Sequence, residues 1–486
     1  MNLGLFIPEI SLAATALVVV LVDLFTERKG ALAVLSIIGL IVSGAFAISM
    51  RGTFEGTFGN MLAVDGFAIF FKLLFIGIAA LIILASTDYV SKLSKFRGEY
   101  YALILLSTLG MMLMAAAREL ITLYVSLELA SISLYVLSGF LKDEKSTESS
   151  LKYLLLGAIS SAVLLYGMAL VFGTTGETQL TRIAAAIQAI APDAVSSSPA
   201  LIVGIVLMIA GFGFKIAAVP FQMWVPDVYE GAPTPVTAFL SVASKSAGFA
   251  IILRIFYTAF GIPDWLSTNW GLVFAWLAII SMFVGNLTAI KQTNIKRMLG
   301  YSSIAQAGYL MVGLATLGTS AATDRAGQSG VMFFLAAYTL TNLGVFSAVI
   351  AITNKVGTDL IQDFSGMLKR APLLTLAMTL CLFSLIGMPP AVGFMAKFYI
   401  FRGAVENGLL WLVLVAVLNS VISAFYYLRV VKVMWFGEPD SEDKVPSSAA
   451  LRLTLAICCL GVLALGVAPG WMMNIAESAA KMFTGG

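Results

Sequence analysis

The sequence predicts an all-α polytopic membrane protein with about 14 transmembrane helices. Three observations support this fold class. The 486 residues are 60% hydrophobic and only 11% charged, which is too apolar for a soluble globular protein. Apolar runs of about 20 residues recur along the chain, each long enough to cross ~30 Å of hydrocarbon as a helix. These runs do not alternate apolar and polar residues, as the strands of a membrane β-barrel would.

The composition argues against several classes of site. The chain has no histidine, and its three cysteines, Cys381, Cys458 and Cys459, lie in apolar runs. Adjacent helix positions point about 100° apart, so Cys458 and Cys459 do not form a ligand pair. We therefore expect no metal and no cofactor in this chain. Glycine-rich phosphate-binding motifs are absent, so neither nucleotide nor nucleic-acid binding is expected. The N-terminal run lacks a basic flank, which favours a retained helix over a cleaved signal.

The predicted spans also suggest an orientation. Most lysines and arginines outside the spans lie in the connections that follow odd-numbered spans. Because positive loops stay inside, that face is predicted to be cytoplasmic, and both termini non-cytoplasmic. The spans cover residues 5–25, 31–50, 67–86, 100–116, 119–141, 151–172, 201–219, 236–260, 270–290, 298–318, 331–353, 373–402, 408–428 and 451–472. Between spans 6 and 7, apolar residues on one helical face predict a short interfacial helix: Leu180, Ile183, Ile187 and Ile190.

A faint internal repeat divides the chain into four parts. Two blocks of five helices follow each other, and an odd number of helices inverts the second block relative to the first. The parts are an N-terminal three-helix segment (1–99), the first repeat (100–260), the inverted second repeat (261–435), and a loop with the last helix (436–486).

Helix-breaking residues occupy corresponding places in the two repeats. Lys215 precedes Pro220 in span 7, and Lys397 follows Pro389 and Pro390 in span 12. Each proline removes a backbone donor and interrupts a helix. Interrupted helices at matching positions of inverted repeats indicate a transport site near the middle of the membrane.

Four ionisable residues lie deep inside the spans and are the candidate site: Glu128, Lys215, Lys245 and Lys397. A charge at the centre of a bilayer costs roughly 2.5–3.5 kcal/mol, so such residues usually have a function. Desolvation favours a neutral lysine and a nearby carboxylate favours the charged one, which suits proton transfer. Polar residues at helical spacing predict a lane between these groups. Its members are Tyr124, Ser131, Tyr135, Ser241, Ser244, Ser302, Gln306, Tyr309, Asn419 and Ser423.

A purely structural interpretation stays open. Glu128 and Lys215 would then form a static ion pair, and the hydroxyls would only hold helices together. That interpretation leaves Lys245 and Lys397 without a matching acid in mid-span. Lys72 differs, because it lies near the outer end of span 3 and is expected to snorkel toward water. Glu9, near the end of span 1, is interpreted in the same way.

Three stretches resemble a known family, the antiporter-like membrane subunits of respiratory complex I (NADH:quinone oxidoreductase). They are GFKIAAVPFQMWVPDVYEGAPTPVTAFLSVASK (213–245), QTNIKRMLGYSSIAQAGY (292–309) and GMPPAVGFMAKFYIF (387–401). The similarity runs from span 1 to span 14. It implies a proton-translocating subunit without a redox centre, with flavin, iron–sulfur clusters and quinone in partner subunits.

The resemblance also implies roles for individual residues. Glu128 would be the acid of span 5 and Lys215 its partner, with Lys245 as the central relay and Lys397 near the exit. The family often has histidine where this chain has Gln222 and Gln306, and glutamine does not carry protons at ordinary pH. The implied partners are membrane subunits of the A, H, J, K, L and M types, the peripheral redox arm and lipids.

Two other functions remain as alternatives. A subunit of a cation/proton antiporter or of a membrane-bound hydrogenase would have nearly the same spans. A membrane scaffold would use the charges only to hold helices, and exchanging Lys245 for arginine would then be harmless.

Overall fold

The computed structural model is almost entirely helical. It describes residues 3–26, 30–91, 93, 96–190, 199–261, 264–316, 326–439, 441 and 443–484. The predicted all-α fold class is confirmed. One short antiparallel hairpin, which the sequence analysis did not anticipate, pairs Glu55–Thr57 with Leu62–Val64.

Nineteen helices follow each other along the described part of the chain. The first ten are α1 (Ile7–Phe25), α2 (Gly30–Ser49), α3 (Gly66–Ser91), α4 (Arg97–Ala116), α5 (Leu120–Ser138), α6 (Glu144–Thr175), α7 (Leu180–Ala189), α8 (Pro199–Ile216), α9 (Trp224–Gly231) and α10 (Thr234–Thr258). The others are α11 (Asp264–Ile290), α12 (Ile295–Leu314), α13 (Ala326–Val356), α14 (Met367–Arg370), α15 (Pro372–Ile386), α16 (Val392–Glu406), α17 (Leu410–Phe436), α18 (Ala449–Val467) and α19 (Gly470–Ala480).

Within the described residues, twelve helices are long and apolar enough to cross a membrane: α1–α6, α8, α10, α11, α13, α17 and α18. The tenth predicted span corresponds to α12, and the twelfth is divided into α15 and α16. The count of fourteen crossings and the inverted repeat stay predictions. The last predicted span is too long, because α18 ends at Val467 and α19 begins after Pro469. The short interfacial helix of the sequence analysis corresponds to α7, with Leu180, Ile183 and Ile187 buried.

Two helices form the centre of the molecule. Every residue in the apolar stretch of α10 is buried, and so are 94% of the residues in the apolar stretch of α13. In the apolar stretch of α1 only 28% of the residues are buried. Helix α10 changes its winding inside the core: a π-helical turn at Leu240–Ser244 separates two α-helical parts. The residue that follows this turn is Lys245, so the central lysine lies within the fully buried stretch of α10.

A buried ion pair fastens the end of α10 to the segment before α3. The Arg254 guanidinium donates to both carboxylate oxygens of Asp65 at 3.0 Å, and neither side chain is more than 1% exposed. Burial by itself would raise the pKa of the Asp65 carboxyl, but Arg254 and the backbone N–H of Ala68 hold this pKa below its usual value. Bidentate pairing of this kind also fixes orientation.

The predicted snorkelling of Lys72 is wrong. Its ammonium lies 2.6 Å from a carboxylate oxygen of Glu9, and the two side chains are 2% and 1% exposed. The interpretation failed because nothing in the sequence shows that α1 packs close enough to α3 to supply a counter-ion. A nearby carboxylate removes the need to reach water. Lys72 and Glu9 thus join two of the N-terminal helices inside the protein.

Candidate functional site

Lys215 lies at the last turn of α8 and faces α5. Its ammonium donates a hydrogen bond of 2.8 Å to the Ser131 hydroxyl, and the residue is 5% exposed. Glu128, one turn before Ser131, is within electrostatic range of Lys215 but makes no ion pair with it at 4 Å or less. The Oε1 atom of Glu128 is buried and has no hydrogen-bond partner among the described residues. The acid and the amine are thus neighbours without being locked together.

The end of α8 is set by its backbone. The helix stops at Ile216, and Ala217 adopts a positive φ of 62° before the chain reaches Pro220. The stem of Lys215 then lies against α10 at Gly248, where an added Cβ would be 3.3 Å from Lys215 Cγ and 2.7 Å from Ile216. Because Gly248 is less than one turn after Lys245, this close approach brings the backbones around the first two lysines together.

Lys245 is surrounded by neutral oxygens and an aromatic ring. Its ammonium donates to the backbone carbonyl of Ser303, lies 5.8 Å from the centre of the Tyr338 ring, and is 2% exposed. The Ser303 hydroxyl accepts from Tyr338 at 3.2 Å and shares a hydrogen bond of 3.3 Å with Tyr229. In the described part of the chain, no carboxylate lies within 4 Å of Lys245. The hydroxyls of Ser303, Tyr338 and Tyr229 are therefore linked by hydrogen bonds at the residue whose carbonyl accepts from Lys245.

Lys397 binds the C-terminal end of α15, where the predicted span is interrupted. Gly387, with a φ of 94°, ends this helix and leaves its last carbonyls without helical partners. The Lys397 ammonium donates to the carbonyls of Ile386 at 2.8 Å and Leu385 at 3.3 Å, and to the Ser420 hydroxyl at 2.5 Å. A cation at a helix C-terminus is favourable. The interruption at Pro389 and Pro390 therefore exposes the carbonyls that hold the Lys397 ammonium.

The break between α15 and α16 depends on a glycine. The backbone N–H of Gly393 donates to the Ser384 hydroxyl at 3.0 Å. A Cβ at Gly393 would collide with the backbone carbonyl oxygen of Ser384. The two half-helices can therefore approach this closely only without a side chain at that position.

Three predicted lane residues of α12, Ser302, Gln306 and Tyr309, lie between Lys245 and Lys397, where two of them contact Tyr427 of α17. Gln306 donates to the Leu385 carbonyl at 3.2 Å and to the Tyr427 hydroxyl at 3.5 Å, and Ser302 shares a short hydrogen bond with the same hydroxyl. The Lys397 ammonium lies 4.3 Å from the centre of the Tyr309 ring. Gln306, Tyr338 and Lys397 also line an internal cavity of about 10 Å³, which is about the minimum volume for one water molecule.

The other predicted lane residues are arranged less uniformly. Tyr124 and Tyr135 lie near Glu128, and Ser244 lies beside Tyr153. Ser241 accepts from Asn342 at 2.6 Å, and the Asn419 side chain accepts from Asn286 at 3.2 Å. Ser423 donates to the Ser420 carbonyl of its own helix and lies near the Tyr309 hydroxyl.

Sequence reasoning missed five side chains that complete the site. They are Tyr229, Ser303, Tyr338, Ser420 and Tyr427. A signal existed for Ser303, Ser420 and Tyr427, because each adjoins another polar residue in its span. Tyr229 and Tyr338 reach the site from helices that are distant in the sequence, and no local spacing indicates such contacts.

A charged cleft of about 210 Å³ opens next to Tyr229, on the face of the predicted basic connections. Asp227 in α9 pairs with Lys152 at 2.9 Å and with Arg297 at 2.7 Å. Partial burial would raise the pKa of the Asp227 carboxyl, but the hydrogen bonds from the two cations hold this pKa below its usual value. Glu230 pairs with Arg297 at 3.1 Å. Because α9 carries Asp227, Tyr229 and Glu230, it connects this cleft with the hydroxyls around Lys245.

Within the described residues, no group of three or more His, Cys, Asp or Glu side chains has the arrangement of a metal site. The four mid-span ionisable residues and their hydroxyl neighbours are therefore the chemical groups available at this site.

Comparisons with known proteins agree in pointing to one family. Residues 117–423 match the family model described as NADH:quinone oxidoreductase/Mrp antiporter, TM. NADH-quinone oxidoreductase subunit N of Dehalococcoides mccartyi is 49% identical over 483 residues, covering 99% of each chain. A chain of respiratory complex I from Thermus thermophilus with bound aureothin is 30% identical, with a TM-score of 0.80 over 96% of this chain and 98% of that one.

A more distant comparison concerns the fold alone. A chain of the Mrp complex from Dietzia sp. superimposes with a TM-score of 0.85 at 20% identity, covering 100% of this chain and 98% of that one. The architecture is therefore shared between complexes of different kinds, whereas the sequence identity is higher to subunit N of Dehalococcoides mccartyi than to this Mrp chain.

Proposed function

The chain belongs to the NADH:quinone oxidoreductase and Mrp antiporter family of multi-pass membrane subunits, and from this premise we propose how its residues move protons. It is an antiporter-like, proton-translocating subunit of NADH:quinone oxidoreductase. Electrons pass from NADH to quinone in partner subunits, and this chain couples that transfer to proton movement. In our proposal Lys215, Lys245 and Lys397 are the proton carriers, and Glu128 controls the first of them.

One observation carries this proposal: three buried lysines are each held by neutral oxygens. Lys215, Lys245 and Lys397 are at most 5% exposed, and none has a carboxylate within 4 Å in the described part of the chain. Burial favours the neutral amine, while carbonyl and hydroxyl acceptors favour the ammonium, so the two effects oppose each other. By contrast, Lys72 lies 2.6 Å from Glu9, and such a pair favours one fixed charge state.

Glu128 is suited to controlling the proton on Lys215. It is near enough to favour the ammonium, yet it is not bound to it, and one of its carboxylate oxygens is buried without a hydrogen bond. A small movement of α5 toward α8 would strengthen the attraction and load Lys215. Movement away would release the proton toward Lys245.

For proton uptake we favour the charged cleft beside α9. Asp227 and Glu230 hold negative charge there, and Tyr229 lies between them in sequence. The Tyr229 hydroxyl is 3.3 Å from the Ser303 hydroxyl, and Lys245 donates to the carbonyl of that same serine. This continuity supports a path from the cytoplasm to the central lysine, alongside loading through Lys215.

For proton release we favour the opposite side of Lys397. That lysine lines a cavity of about 720 Å³ together with Ser420, and Arg402 and Glu406 lie at its other end. The same two charged residues also line a second cavity of about 220 Å³, with Glu477 and Lys481. The shared residues support an exit from Lys397 toward the face where both termini lie.

The membrane location, the orientation and the partner subunits are part of the same proposal. We place the chain in the bacterial inner membrane with both termini outside, since the basic connections would then be cytoplasmic. Its partners would be subunits of the A, H, J, K, L and M types, with flavin, iron–sulfur clusters and quinone in the partners. Glutamine at Gln222 and Gln306 means that water, rather than histidine, would carry protons at those two points.

The decisive experiment removes the first carrier and its controlling acid in the assembled complex. Lys215→Ala and Glu128→Gln are expected to abolish or strongly reduce proton pumping in membrane vesicles that oxidise NADH with quinone. Lys291→Ala, an exposed loop lysine, is the matched control and should pump normally. Normal coupled pumping in both site variants would exclude the proposal. Sodium-driven proton exchange by the chain without redox partners would instead favour an antiporter.

A further inference from the structure

A groove between α15 and α18 lies far from the lysines of the proposed proton path. It has a volume of about 450 Å³ and opens on the face of the basic connections. At its mouth lie Arg370, Lys444 and Arg452, and its walls continue along apolar side chains that include Leu374 and Leu455. Among the described side chains that line it, none is acidic. The groove thus combines a cationic mouth with an apolar interior.

Arg370 is the most informative residue at the mouth. It is only 8% exposed, and its Nε donates to the backbone carbonyl of Asp443 at 2.9 Å. Its terminal N–H groups have no hydrogen-bond partner among the described residues, and no described carboxylate lies within 4 Å of it. The carboxylate of Asp443 lies instead 3.5 Å from Lys355. Because Arg370 lines the groove, its terminal N–H groups are available to an acceptor that binds there.

The backbone adds to the positive potential at this mouth. Helix α15 begins at Pro372, directly after Arg370 and Ala371, and no side chain caps its first turn. Helix α18 begins at the same end of the groove, at Ala449. Free N–H groups and the helix dipole favour an anion at a helix N-terminus. An acceptor bound to Arg370 would therefore meet backbone donors as well as cations.

The apolar walls of the groove favour an amphipathic ligand over a free anion. Leu374 of α15 and Leu455 of α18 both line the groove and are 5% and 6% exposed. The groove continues past Ala377 to Cys459, near the middle of α18. A free anion would gain nothing from this apolar part, whereas an acyl chain would be enclosed by it. Basic pockets between transmembrane helices are typical sites for anionic lipid head groups.

We propose that this groove binds one anionic phospholipid from the adjacent leaflet. The phosphodiester accepts hydrogen bonds from Arg370 and the first turn of α15, with Arg452 and Lys444 adding attraction. One acyl chain lies between Leu374 and Leu455. The lipid thereby occupies the groove between α15 and α18. Helix α15 is the one that ends at the Lys397 site. This inference does not depend on the proton path, because it concerns only binding.

The test measures lipid bound to the purified, delipidated complex by mass spectrometry of the intact assembly. Phosphatidylglycerol and phosphatidylcholine with identical acyl chains are titrated in parallel. The Arg370→Gln and Arg452→Gln variants are compared with Lys432→Gln, which removes an exposed charge elsewhere on the same face. We expect at least about fivefold weaker phosphatidylglycerol binding for each arginine removed, and wild-type binding for the control.

Two further arms separate the possible outcomes. Leu455→Trp should fill the groove and block phosphatidylglycerol without altering any charge. Inorganic phosphate at the same concentration should not compete, since it cannot use the apolar walls. Equal binding of the two lipids, or unchanged phosphatidylglycerol binding in the arginine and Leu455 variants, would overturn the proposal. If Arg370→Gln prevents assembly, the exposed Arg452 and the Leu455 variant still decide the question.

Discussion

The sharpest prediction concerns the replacement of Lys245 by methionine, which keeps most of the side-chain volume and removes the amine. Lys245 is 2% exposed and has no described carboxylate within 4 Å. Removing its charge therefore leaves no anion unpaired and relieves a desolvation penalty, which is about 2.5–3.5 kcal/mol on insertion scales. We expect the complex to assemble normally and to be at least as stable as the wild type.

The same variant is expected to lose its function. A positioned proton carrier typically contributes a rate factor of about 10² or more, so coupled proton pumping should fall at least about 100-fold. Lys245→Arg tests the reason separately, because arginine keeps the positive charge but does not deprotonate. It should assemble and still fail to pump.

Lys72→Met is the matched control, since Lys72 is also 2% exposed but lies 2.6 Å from Glu9. Its removal leaves a buried carboxylate without its partner, which typically costs about 3–5 kcal/mol. We expect a less stable complex whose surviving fraction pumps normally. The two methionine variants should therefore show opposite patterns of stability and activity.

The assays are direct. Native electrophoresis and the temperature of complex dissociation report assembly, and a pH-sensitive dye in vesicles reports pumping driven by NADH and quinone. NADH oxidation with a soluble artificial acceptor checks that the redox arm is intact. Full proton pumping by Lys245→Met or by Lys245→Arg would refute the role of this lysine. Lower stability of the Lys245→Met complex would refute the analysis of its surroundings.

The remaining predictions concern the framework around the site. Asp65→Asn leaves the buried Arg254 without its carboxylate and should destabilise the complex by about 3–5 kcal/mol, measured as an earlier thermal dissociation. The folded-state pKa of Asp65 is lowered, so the ionised carboxylate stabilises the complex fully above the ordinary carboxyl pKa of about 3.9. This stabilisation is lost as the pH falls through the folded-state pKa. Thermal dissociation measured across acid pH should therefore show a loss of stability in the wild type that is missing in Asp65→Asn. Gly393→Ala places a Cβ against the carbonyl of Ser384 and should prevent correct assembly, seen on native gels, whereas an unaffected complex would contradict the geometry of the break. Tyr427→Phe removes a hydroxyl shared by two α12 side chains and should slow pumping several-fold without changing assembly.

Much of the architecture can be predicted from residue type and spacing. Apolar runs of about 20 residues leave few alternatives to membrane helices. Charged residues such as Glu128, Lys215 and Lys245 can be recognised as unusual without any contact information, because placing a charge at the centre of a bilayer costs free energy. The breakers Gly387, Pro389 and Pro390 likewise indicate an interrupted helix from local backbone chemistry alone.

The partners of those charges were decided only by the tertiary structure. Lys72 and Glu9 are 63 positions apart in the chain, yet their charged atoms are 2.6 Å apart. Lys245 and Lys72 look alike as lysines in apolar runs, but the first is held by the Ser303 carbonyl and the second by a carboxylate. Sequence spacing describes one helix at a time, whereas the charge state of a buried amine depends on which helices pack around it. The sequence by itself therefore determined that several lysines lie within the membrane spans, and only the packing decided which of them has a carboxylate partner.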